Sequence, residues 1–296
     1  MLSGCVSSIA SEPSNPSDVV PFKTKGERHR SWMLPEAKQR TLLYVSTEDY
    51  GVYVLTYPKG KVVGMLYDLA SSEGLCSDSA GDVFVNDSVG QAVVEFAHAS
   101  VTPIRRLTNG SEFHPYGCAV DPLTGNLAAT NQDSGAILIF KKAKTYLETI
   151  FDPGSFMWYC AYDLKGNLFT DRHNHHHNTF IGELPHGAKA FKNLKLNKFV
   201  LALSGMRWNG KYLSVGNLES NAVYQVRVSS STATIVGTTK LTTASNVLQY
   251  WFDHGQLLNP DPSSGTVGVW NYPSGGQPVR TIEYYAGANG VTISRP

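Results

Sequence analysis

The chain repeats one stretch, and its clearest copy reads Gly117-Cys118-Ala119-Val120-Asp121-Pro122-Leu123-Thr124-Gly125-Asn126-Leu127-Ala128-Ala129-Thr130-Asn131. A short apolar run is followed by a turn containing Asp-Pro and Gly-Asn, and then by a second apolar run that ends in polar residues. Apolar runs separated by turn residues indicate two β-strands joined by a tight turn. The same pattern returns at residues 74–87 and 159–171.

Six copies of this stretch follow one another. Their first residues are Gly74, Gly117, Tyr159, Gly205, Gln249 and Gly290, spaced 41 to 46 positions apart. A third and a fourth apolar run follow the copies, for example at residues 92–97 and 102–107. A period of about 40 to 50 residues with four strands per repeat predicts the blades of a β-propeller.

The two ends of the chain complement each other. Residues 290–294 form a first strand with no second strand after it, and residues 41–45 form a second strand with no first strand before it. If these strands pair in one sheet, the ring closes and its edges are removed. We therefore expect an all-β, six-bladed propeller over residues 41–296, closed by its N- and C-terminal strands. Residues 1–40 are expected to form a flexible tether or arm.

The composition agrees with this fold and argues against some partners. Apolar residues make up 42% of the 296 residues, which allows a sizeable core, and 27 glycines with 15 prolines suit many turns. The net charge is +1 and no basic stripe is present, so we do not expect nucleic acid as the partner. No run approaches the roughly 18 to 20 apolar residues of a membrane-spanning helix.

The N-terminus carries a separate signal. Leu2-Ser3-Gly4-Cys5 has the form of a bacterial lipobox, whose cysteine becomes acylated, and residues 6–18 are rich in Ser, Pro and Asn like a tether. The charged and apolar regions of a signal peptide do not precede it. We expect a bacterial envelope protein, lipid-anchored at Cys5 or secreted, that meets the membrane only through this anchor. The alternative is an accidental match in a disordered tail.

Three further cysteines, Cys76, Cys118 and Cys160, lie in apolar strand patterns. Cysteine in such a position usually behaves as a small buried apolar residue. No C-x-x-C spacing is present. The sequence therefore predicts neither a disulfide framework nor a cysteine metal site.

The repeat resembles a known family. Residues 73–85 and their sister copies resemble NHL-type propeller repeats, whose usual form is P-x-G-[apolar]-x-x-D followed by G-N-[apolar]-[aromatic]-V. His114-Pro115-Tyr116-Gly117 keeps the proline, and the other copies lack it. The resemblance covers about residues 41–296 and is greatest to secreted or lipid-anchored bacterial propellers. It implies a fold, and it leaves the function open because propellers host many functions.

In a four-stranded blade, the loop before the first strand and the turn after the second strand lie at the same end. We call this end of the molecule the mouth. The second strands end there at Thr47, Asp87, Asn131, Arg172, Asn217 and Asp261, and the first strands begin beside Glu73, His114, Tyr116, Trp158, Ser204, Asn246 and Asn289. Carboxylates, amides, imidazoles and aromatic rings together predict a ligand-binding funnel. The alternative is that Asn, Asp and Ser only stabilise hairpin turns.

Two related propeller families imply chemistry at the mouth. Gluconolactonase-like propellers bind a divalent cation with Glu, Asn and Asp, and Ser72-Glu73-Gly74 resembles their Glu-Gly sequence. The resemblance implies a Ca²⁺ site formed by Glu73, Asn131, Asn217 and Asp261. The later Asn-Gly and Ser-x-Asp signatures of that family are absent from the sequence. Streptogramin B lyases use a His and Glu pair, for which His114 is the matching histidine.

Residues 171–178 read Asp-Arg-His-Asn-His-His-His-Asn, between the second and third strands of one blade. Imidazoles bind Zn²⁺, Ni²⁺ or Cu²⁺, but adjacent histidines on a loop diverge and lack a second layer of supporting contacts. A solvated loop is therefore the favoured interpretation. His173 still lies at the mouth, where it is expected to contact a ligand or to form a pH-sensitive patch.

The most regular carboxylates are Asp78, Asp121, Asp163 and Asp253, in the turns at the end opposite the mouth. We expect these to accept backbone N–H bonds. Nucleophile elbows, phosphate-binding loops and H-E-x-x-H motifs are absent from the sequence. We therefore expect a monomeric, non-catalytic scaffold that binds a protein, a glycan or a small ligand. The alternative is a metal-dependent lactonase-like hydrolase or a streptogramin-lyase-like enzyme with its site in the funnel.

Overall fold

The computed structural model describes residues 30–47, 51–173, 179–283 and 287–296, and it is all-β there except for a short 3-10 helix at Pro35–Gln39. Cys5 lies outside the described residues, as do the histidines at positions 175, 176 and 177. In the part of the chain that the structure describes, no helix is both long and apolar enough to cross a bilayer.

The strands form five hydrogen-bonded sheets. One sheet has the spatial order β1 (Trp32–Met33), β4 (Val62–Leu66), β3 (Gly51–Thr56), β2 (Leu42–Thr47) and β25 (Ala288–Ser294). Two four-stranded sheets follow along the chain: β5 (Ser72–Ser77), β6 (Val83–Asp87), β7 (Ala92–Phe96) and β8 (Pro103–Leu107), then β9 (Pro115–Val120), β10 (Leu127–Asn131), β11 (Ala136–Lys141) and β12 (Thr145–Phe151).

The next sheet has eight strands. They are β13 (Phe156–Tyr162), β14 (Leu168–His173), β15 (Thr179–Leu184), β16 (Lys192–Leu196), β17 (Leu203–Trp208), β18 (Leu213–Asn217), β19 (Ala222–Val228) and β20 (Thr232–Lys240). The sheet consists of two antiparallel four-stranded units, joined where β16 and β20 pair in parallel at Lys195↔Thr232 and Leu196↔Ala233. The last sheet contains β21 (Trp251–Asp253), β22 (Gln256–Asp261), β23 (Thr266–Asn271) and β24 (Arg280–Glu283).

The repeated stretch forms a hairpin, as predicted. Leu127 of β10 pairs with Val120 of β9, and the turn between them is held by Asp121, whose Oδ1 accepts the N–H of Leu123 at 2.9 Å. Asp78 and Asp163 do the same in their turns, since each accepts two backbone N–H bonds. Asp253 differs, because its carboxylate contacts the side chains of Arg295 and His254.

The first and last parts of the domain share one sheet. Strand β25 pairs antiparallel with β2 from Leu42↔Ser294 to Thr47↔Ala288. The arm before β2 also joins this sheet, because Trp32 of β1 pairs with Met65 of β4. The sheet that contains β2 is therefore completed by residues from the opposite end of the chain.

The hydrophobic core is divided into clusters, each packed between two consecutive four-stranded units. One cluster combines Phe84 of β6 with Leu127 of β10, and another combines Val45 of β2 with Leu258 of β22. Burying one such side chain contributes about 1.5 to 3 kcal/mol. Unit-to-unit packing through these faces therefore holds the domain together, and the last unit packs on the first.

The expectation that the cysteines are unpaired is wrong. Cys76 of β5 and Cys118 of β9 form a disulfide with a Cα–Cα distance of 5.8 Å. Successive side chains of a strand point to opposite faces. Because Cys76 stands one position later in its repeat than Cys118, the two face each other across neighbouring first strands. Cys160 shares the repeat position of Cys118, and it is a buried free thiol whose pKa is raised by burial.

Candidate functional site

The mouth is held together by contacts between its two kinds of loop. Oδ1 of Asp87, at the end of β6, accepts the N–H groups of Ala70 and Ser71 at 2.9 and 3.1 Å, just before β5. It also accepts the N–H of Gly90 at 3.1 Å, in the turn after β6. The other carboxylate oxygen pairs with Arg106 at 2.8 Å. Asp87 thus ties the start of a first strand to the end of a second strand.

Asn131, Asn217 and Asp261 have the same role in their own units. Oδ1 of Asn131 accepts the N–H of His114 at 3.2 Å. Asn217 accepts the N–H of Ser220 at 2.7 Å through its Oδ1 and donates through its Nδ2 to the carbonyl group of Leu201, just before β17. Asp261 accepts N–H groups from the three serines at positions 245, 263 and 264. The interpretation as turn-stabilising residues accounts for these contacts. Among the described residues, no group of three or more His, Cys, Asp or Glu is arranged to hold a metal ion.

Two other predicted mouth residues also have partners outside a shared site. His114 Nε2 lies 3.6 Å from Glu112 and 3.8 Å from Asp133, both well exposed. Arg172 binds the carboxylate of Asp152 and donates to Ser155 Oγ at 3.0 Å. The positive charge of its guanidinium is therefore compensated by Asp152, between β12 and β13.

Four other predicted mouth residues, Glu73, Tyr116, Trp158 and His173, belong with Tyr159 and Asp171 to one group of side chains, which we call the aromatic–acid cluster. The ring centroids of Tyr116 and Trp158 are 6.4 Å apart, and Tyr159 meets the Tyr116 ring edge-on at 5.4 Å. The His173 ring lies against Trp158 with centroids 4.3 Å apart. Tyr116 and Trp158 are partly exposed, whereas Tyr159, Asp171 and His173 are buried. The cluster thus combines two partly exposed aromatic rings with a buried acid and imidazole.

Asp171 is the most deeply buried charged group of the cluster, with 0% of its surface exposed. Its Oδ1 accepts the N–H groups of Trp158 at 3.0 Å and Tyr159 at 2.6 Å, and its Oδ2 lies 3.0 Å from Nε2 of His173. Burial raises the pKa of Asp171, and the hydrogen bond and charge of His173 oppose that rise. The carboxylate therefore fixes the first strand of its unit and orients the imidazole.

Glu73 is the second carboxylate of the cluster and is also buried. Its carboxylate accepts Asn289 Nδ2 at 3.0 Å and Ser71 Oγ at 3.3 Å. The next residue, Gly74, is so close to Tyr116 that a Cβ would come 2.6 Å from the carbonyl oxygen of Tyr116. Burial, followed by the phenol of Tyr116 and the charges of Asp171 and Glu73, raises the pKa of Tyr159 well above its usual value. The charges of Asp171 and Glu73 thus both raise the pKa of the Tyr159 phenol.

Asp171 was not among the predicted site residues, although the residues at the equivalent position of the other repeat copies indicate that its carboxylate is unusual. The equivalent position of the second strand carries Asn86 and Thr130 in the two preceding units. Asn86 Nδ2 donates to the carbonyl groups of Gly74 and Tyr116, at 2.8 and 2.9 Å. Thr130 Oγ1 binds the backbone of Gly117 and Trp158. A neutral side chain thus joins two first strands in those units, and a carboxylate takes this position only at Asp171.

The first strands of neighbouring units approach each other closely. A Cβ on Gly117 would lie 2.5 Å from the Trp158 carbonyl oxygen, and one on Gly205 would lie 2.0 Å from that of Leu248. Gln249 replaces glycine at this repeat position, and its Oε1 accepts the N–H of Leu75 in another unit. Glycine is therefore required by the neighbouring backbone at Gly74, Gly117 and Gly205, whereas Tyr159 and Gln249 occupy this position in two other copies.

A shallow depression of about 650 Å³ lies at the ends of the second and fourth strands of the β5–β8 unit. Arg106 lines it together with Thr108 and Glu112. Because Arg106 is already paired with Asp87, the depression has fewer groups available to bind a ligand than the aromatic–acid cluster has.

The sequence matches no family model and no curated protein. Among solved structures, one described as "Crystal structure of Nidogen/Laminin Complex" is similar with a TM-score of 0.71 and 15% identity, over 86% of this chain and 98% of that chain. A protein of unknown function from Bacteroides caccae is similar with a TM-score of 0.63 and 12% identity, over 87% of this chain and 100% of that one. Similarity at these identities shows the fold alone, and the fold is an all-β propeller.

Proposed function

We propose that this propeller is a non-catalytic binding protein whose ligand contacts the aromatic–acid cluster at the mouth. One observation carries the proposal: the partly exposed ring of Trp158 lies beside that of Tyr116 and against the buried imidazole of His173, which bonds Asp171. Ligand sites typically combine apolar or aromatic walls with a few fixed polar groups. A protein loop, a glycan or a small molecule would satisfy this arrangement.

The proposal includes a specific architecture. We propose six NHL-like blades in a ring that closes within the sheet containing β2 and β25. The antiparallel pairing of these two strands supports closure. Division of the core into clusters between consecutive four-stranded units supports the number of blades. In such a ring, the mouth surrounds the axis and a ligand is contacted by several blades.

We propose that the protein acts in the bacterial envelope or outside the cell, with Cys5 as a lipid anchor. The disulfide of Cys76 and Cys118 supports this location, because disulfides persist in oxidising compartments. Palmitate labelling of the full-length gene product tests the anchor, with Cys5→Ser as the control. An unlabelled wild-type protein would exclude it.

The binding function can be tested with purified protein and a panel of peptides and oligosaccharides. Trp158→Ala and Tyr116→Ala are expected to weaken binding of any true ligand at least tenfold. Tyr146→Ala is the matched control, because Tyr146 is an exposed aromatic residue of the outer strand β12. Ligands whose binding is unchanged in both mouth variants would place the function elsewhere.

A second candidate is an enzyme, and the bond between His173 and Asp171 favours it. A carboxylate that orients an imidazole is a common arrangement for a general base. Hydrolysis or elimination by a lactonase-like or lyase-like propeller would then depend on His173, and a lactone panel with His173→Gln tests this. The metal-dependent form has its own test. One tightly bound Ca²⁺ per untagged protein, lost in Glu73→Ala, would support it.

A further inference from the structure

The fourth strands of the units differ in how their outer edges are covered. Strand β4 has β1 on its outer side, and β16 and β20 pair with each other. Among the fourth strands that the structure describes, β8, β12 and β24 have a neighbouring strand on one side only. Such an edge presents unpaired backbone N–H and C=O groups, to which an extended segment can add as a further strand.

Of these three edges, that of β12 is the least protected. Natural edge strands are typically short, or they carry charges and proline that oppose pairing with another chain. Strand β24 has only four residues, and β8 begins with Pro103 and contains two arginines. Strand β12 has seven residues, of which Glu148 alone is charged. Its exposed apolar side chains are those of Tyr146, Leu147 and Phe151.

The pairing of β1 with β4 shows that an outer strand of this kind accepts a further strand. The ladder between β3 and β4 skips Val63, and the ladder between β11 and β12 skips Leu147 in the same way. Strand β1 adds antiparallel to β4 directly after the skipped residue, through Met33↔Gly64. In β12, Glu148 has the position that Gly64 has in β4. The skipped residue therefore does not close this edge to a further strand.

The charges beside these two edges indicate the chemistry of a segment that would add to β12. Where the chain continues beyond β1, Glu36 lies 2.8 Å from Nζ of Lys61, the residue before β4. The corresponding turn before β12 is basic, because exposed lysines stand at positions 141, 142 and 144. None of the three forms an ion pair with a residue that the structure describes. An acidic group that an added segment places there would therefore be attracted.

We propose that β12 is a docking edge for an extended segment of a partner protein, a strand of apolar and β-branched residues followed by acidic residues. The segment runs antiparallel to β12, so that its backbone bonds the edge from Glu148 to Phe151 and its acidic end meets the lysines. A second copy of this chain is a poorer match, since the one acid of β12 is already paired with Lys189. Docking here is independent of the function proposed above, because the aromatic–acid cluster is formed by first and second strands.

Three peptides test this edge on the full chain. The first is acetyl-Thr-Val-Thr-Val-Thr-Val-Asp-Glu-Glu-amide, the second ends in three lysines instead of the acids, and the third has proline in place of the first two valines. Binding is followed by the backbone amide NMR signals of β12. We expect the acidic peptide to shift these signals and the lysine peptide to bind roughly fivefold more weakly, a difference that shrinks in 0.5 M NaCl. The proline peptide lacks strand N–H groups and should not bind.

Variants then locate the contact. Leu147→Lys places a charge on the edge and is expected to weaken the acidic peptide roughly tenfold. Ile104→Lys, at the residue that the ladder between β7 and β8 skips, is the matched control and should have no effect. Lys144→Glu should remove the preference for the acidic peptide. Lys59→Glu changes an exposed lysine in the turn before β4, whose edge β1 already covers, and should leave the preference unchanged.

The same peptide separates this edge from the mouth. Tyr146→Ala should weaken the acidic peptide, whereas Trp158→Ala should not. Absence of binding by the acidic peptide, or equal binding of the acidic and lysine peptides, would overturn the inference and leave the proposed function of the mouth intact. A wild-type dimer in sedimentation that Leu147→Lys dissociates would also overturn it, because a second copy would then occupy the edge. The comparison of peptides on wild-type protein decides the matter even if Leu147→Lys fails to fold.

Discussion

Nε2 of His173 lies 3.0 Å from Oδ2 of Asp171, although the two residues are only two positions apart on one strand. Side chains at this spacing lie on the same face of a strand. The contact leaves Oδ1 of Asp171 available to the backbone N–H groups of Trp158 and Tyr159. A single carboxylate therefore links the backbone of β13 to the imidazole of His173 on β14.

The first prediction concerns the pH dependence of stability. Burial raises the pKa of Asp171 above 3.8, so its contribution to stability is fully present below that pH and is lost as the pH rises through the folded-state pKa. Asp171→Asn should match wild type near pH 3.5 and gain relative stability as the pH rises. Thermal unfolding of both proteins between pH 3.5 and 7 measures this. A variant that loses relative stability toward pH 7 would show that the ion pair outweighs burial.

The second prediction concerns the disulfide between neighbouring blades. Cys76 and Cys118 are separated by 42 residues, and closing a loop of this size stabilises a protein by roughly 2 to 4 kcal/mol. The double variant Cys76→Ser/Cys118→Ser should lose that amount in urea unfolding, and reductant should then have no further effect. Cys160→Ala serves as the cysteine control. Non-reducing peptide mapping that finds both thiols unlinked would contradict the assignment.

The third prediction concerns the repeated glycine. In Gly205→Ala, the new methyl group would lie 2.0 Å from the Leu248 carbonyl oxygen, so the two first strands must separate. We expect a loss of roughly 1 to 3 kcal/mol in the free energy of unfolding. Gly287→Ala is the control, because its nearest neighbour would be 3.7 Å away. Equal effects of the two substitutions on urea unfolding would argue against close packing as the reason for Gly205.

The fourth prediction separates turn chemistry from metal binding at Asp261. Its carboxylate accepts the N–H groups of Ser245, Ser263 and Ser264. Asp261→Ala leaves these donors without their acceptor and should cost roughly 1 to 3 kcal/mol, whereas Asp261→Asn should cost less. Urea unfolding with metal analysis of each variant tests this. Unchanged stability together with loss of a bound cation would favour the metal site.

Local parts of this structure could be predicted from the sequence, because the residues that form them are neighbours in the chain. The turn at Asp121 is an example, since both its acceptor and its donors lie within one hairpin. Tyr116 and Trp158 were also predicted at the mouth, because their positions follow directly from the repeat. That these two rings meet depends on contact between different blades.

Two features were missed for the same physical reason. The pairing of Cys76 with Cys118 depends on a one-residue offset between strands that are 42 residues apart in sequence. The role of Asp171 depends on which residue of a second strand faces the backbone of a first strand. Both are relations between strands, which a periodic pattern within one strand does not specify. Alignment of the copies at the position of Asn86 and Thr130 would have singled out the carboxylate.

The pairing of β25 with β2 also has a consequence for synthesis on the ribosome. Strand β2 is made early, but its partner consists of residues 288–294, which are made after all the other strands that the structure describes. Until those residues emerge, β2 has an unpaired edge, and such edges promote association between chains. Completion of the sheet therefore waits until residues 288–294 have left the ribosome. A nascent chain that stalls before residue 288 would carry most of its blades and still expose this edge.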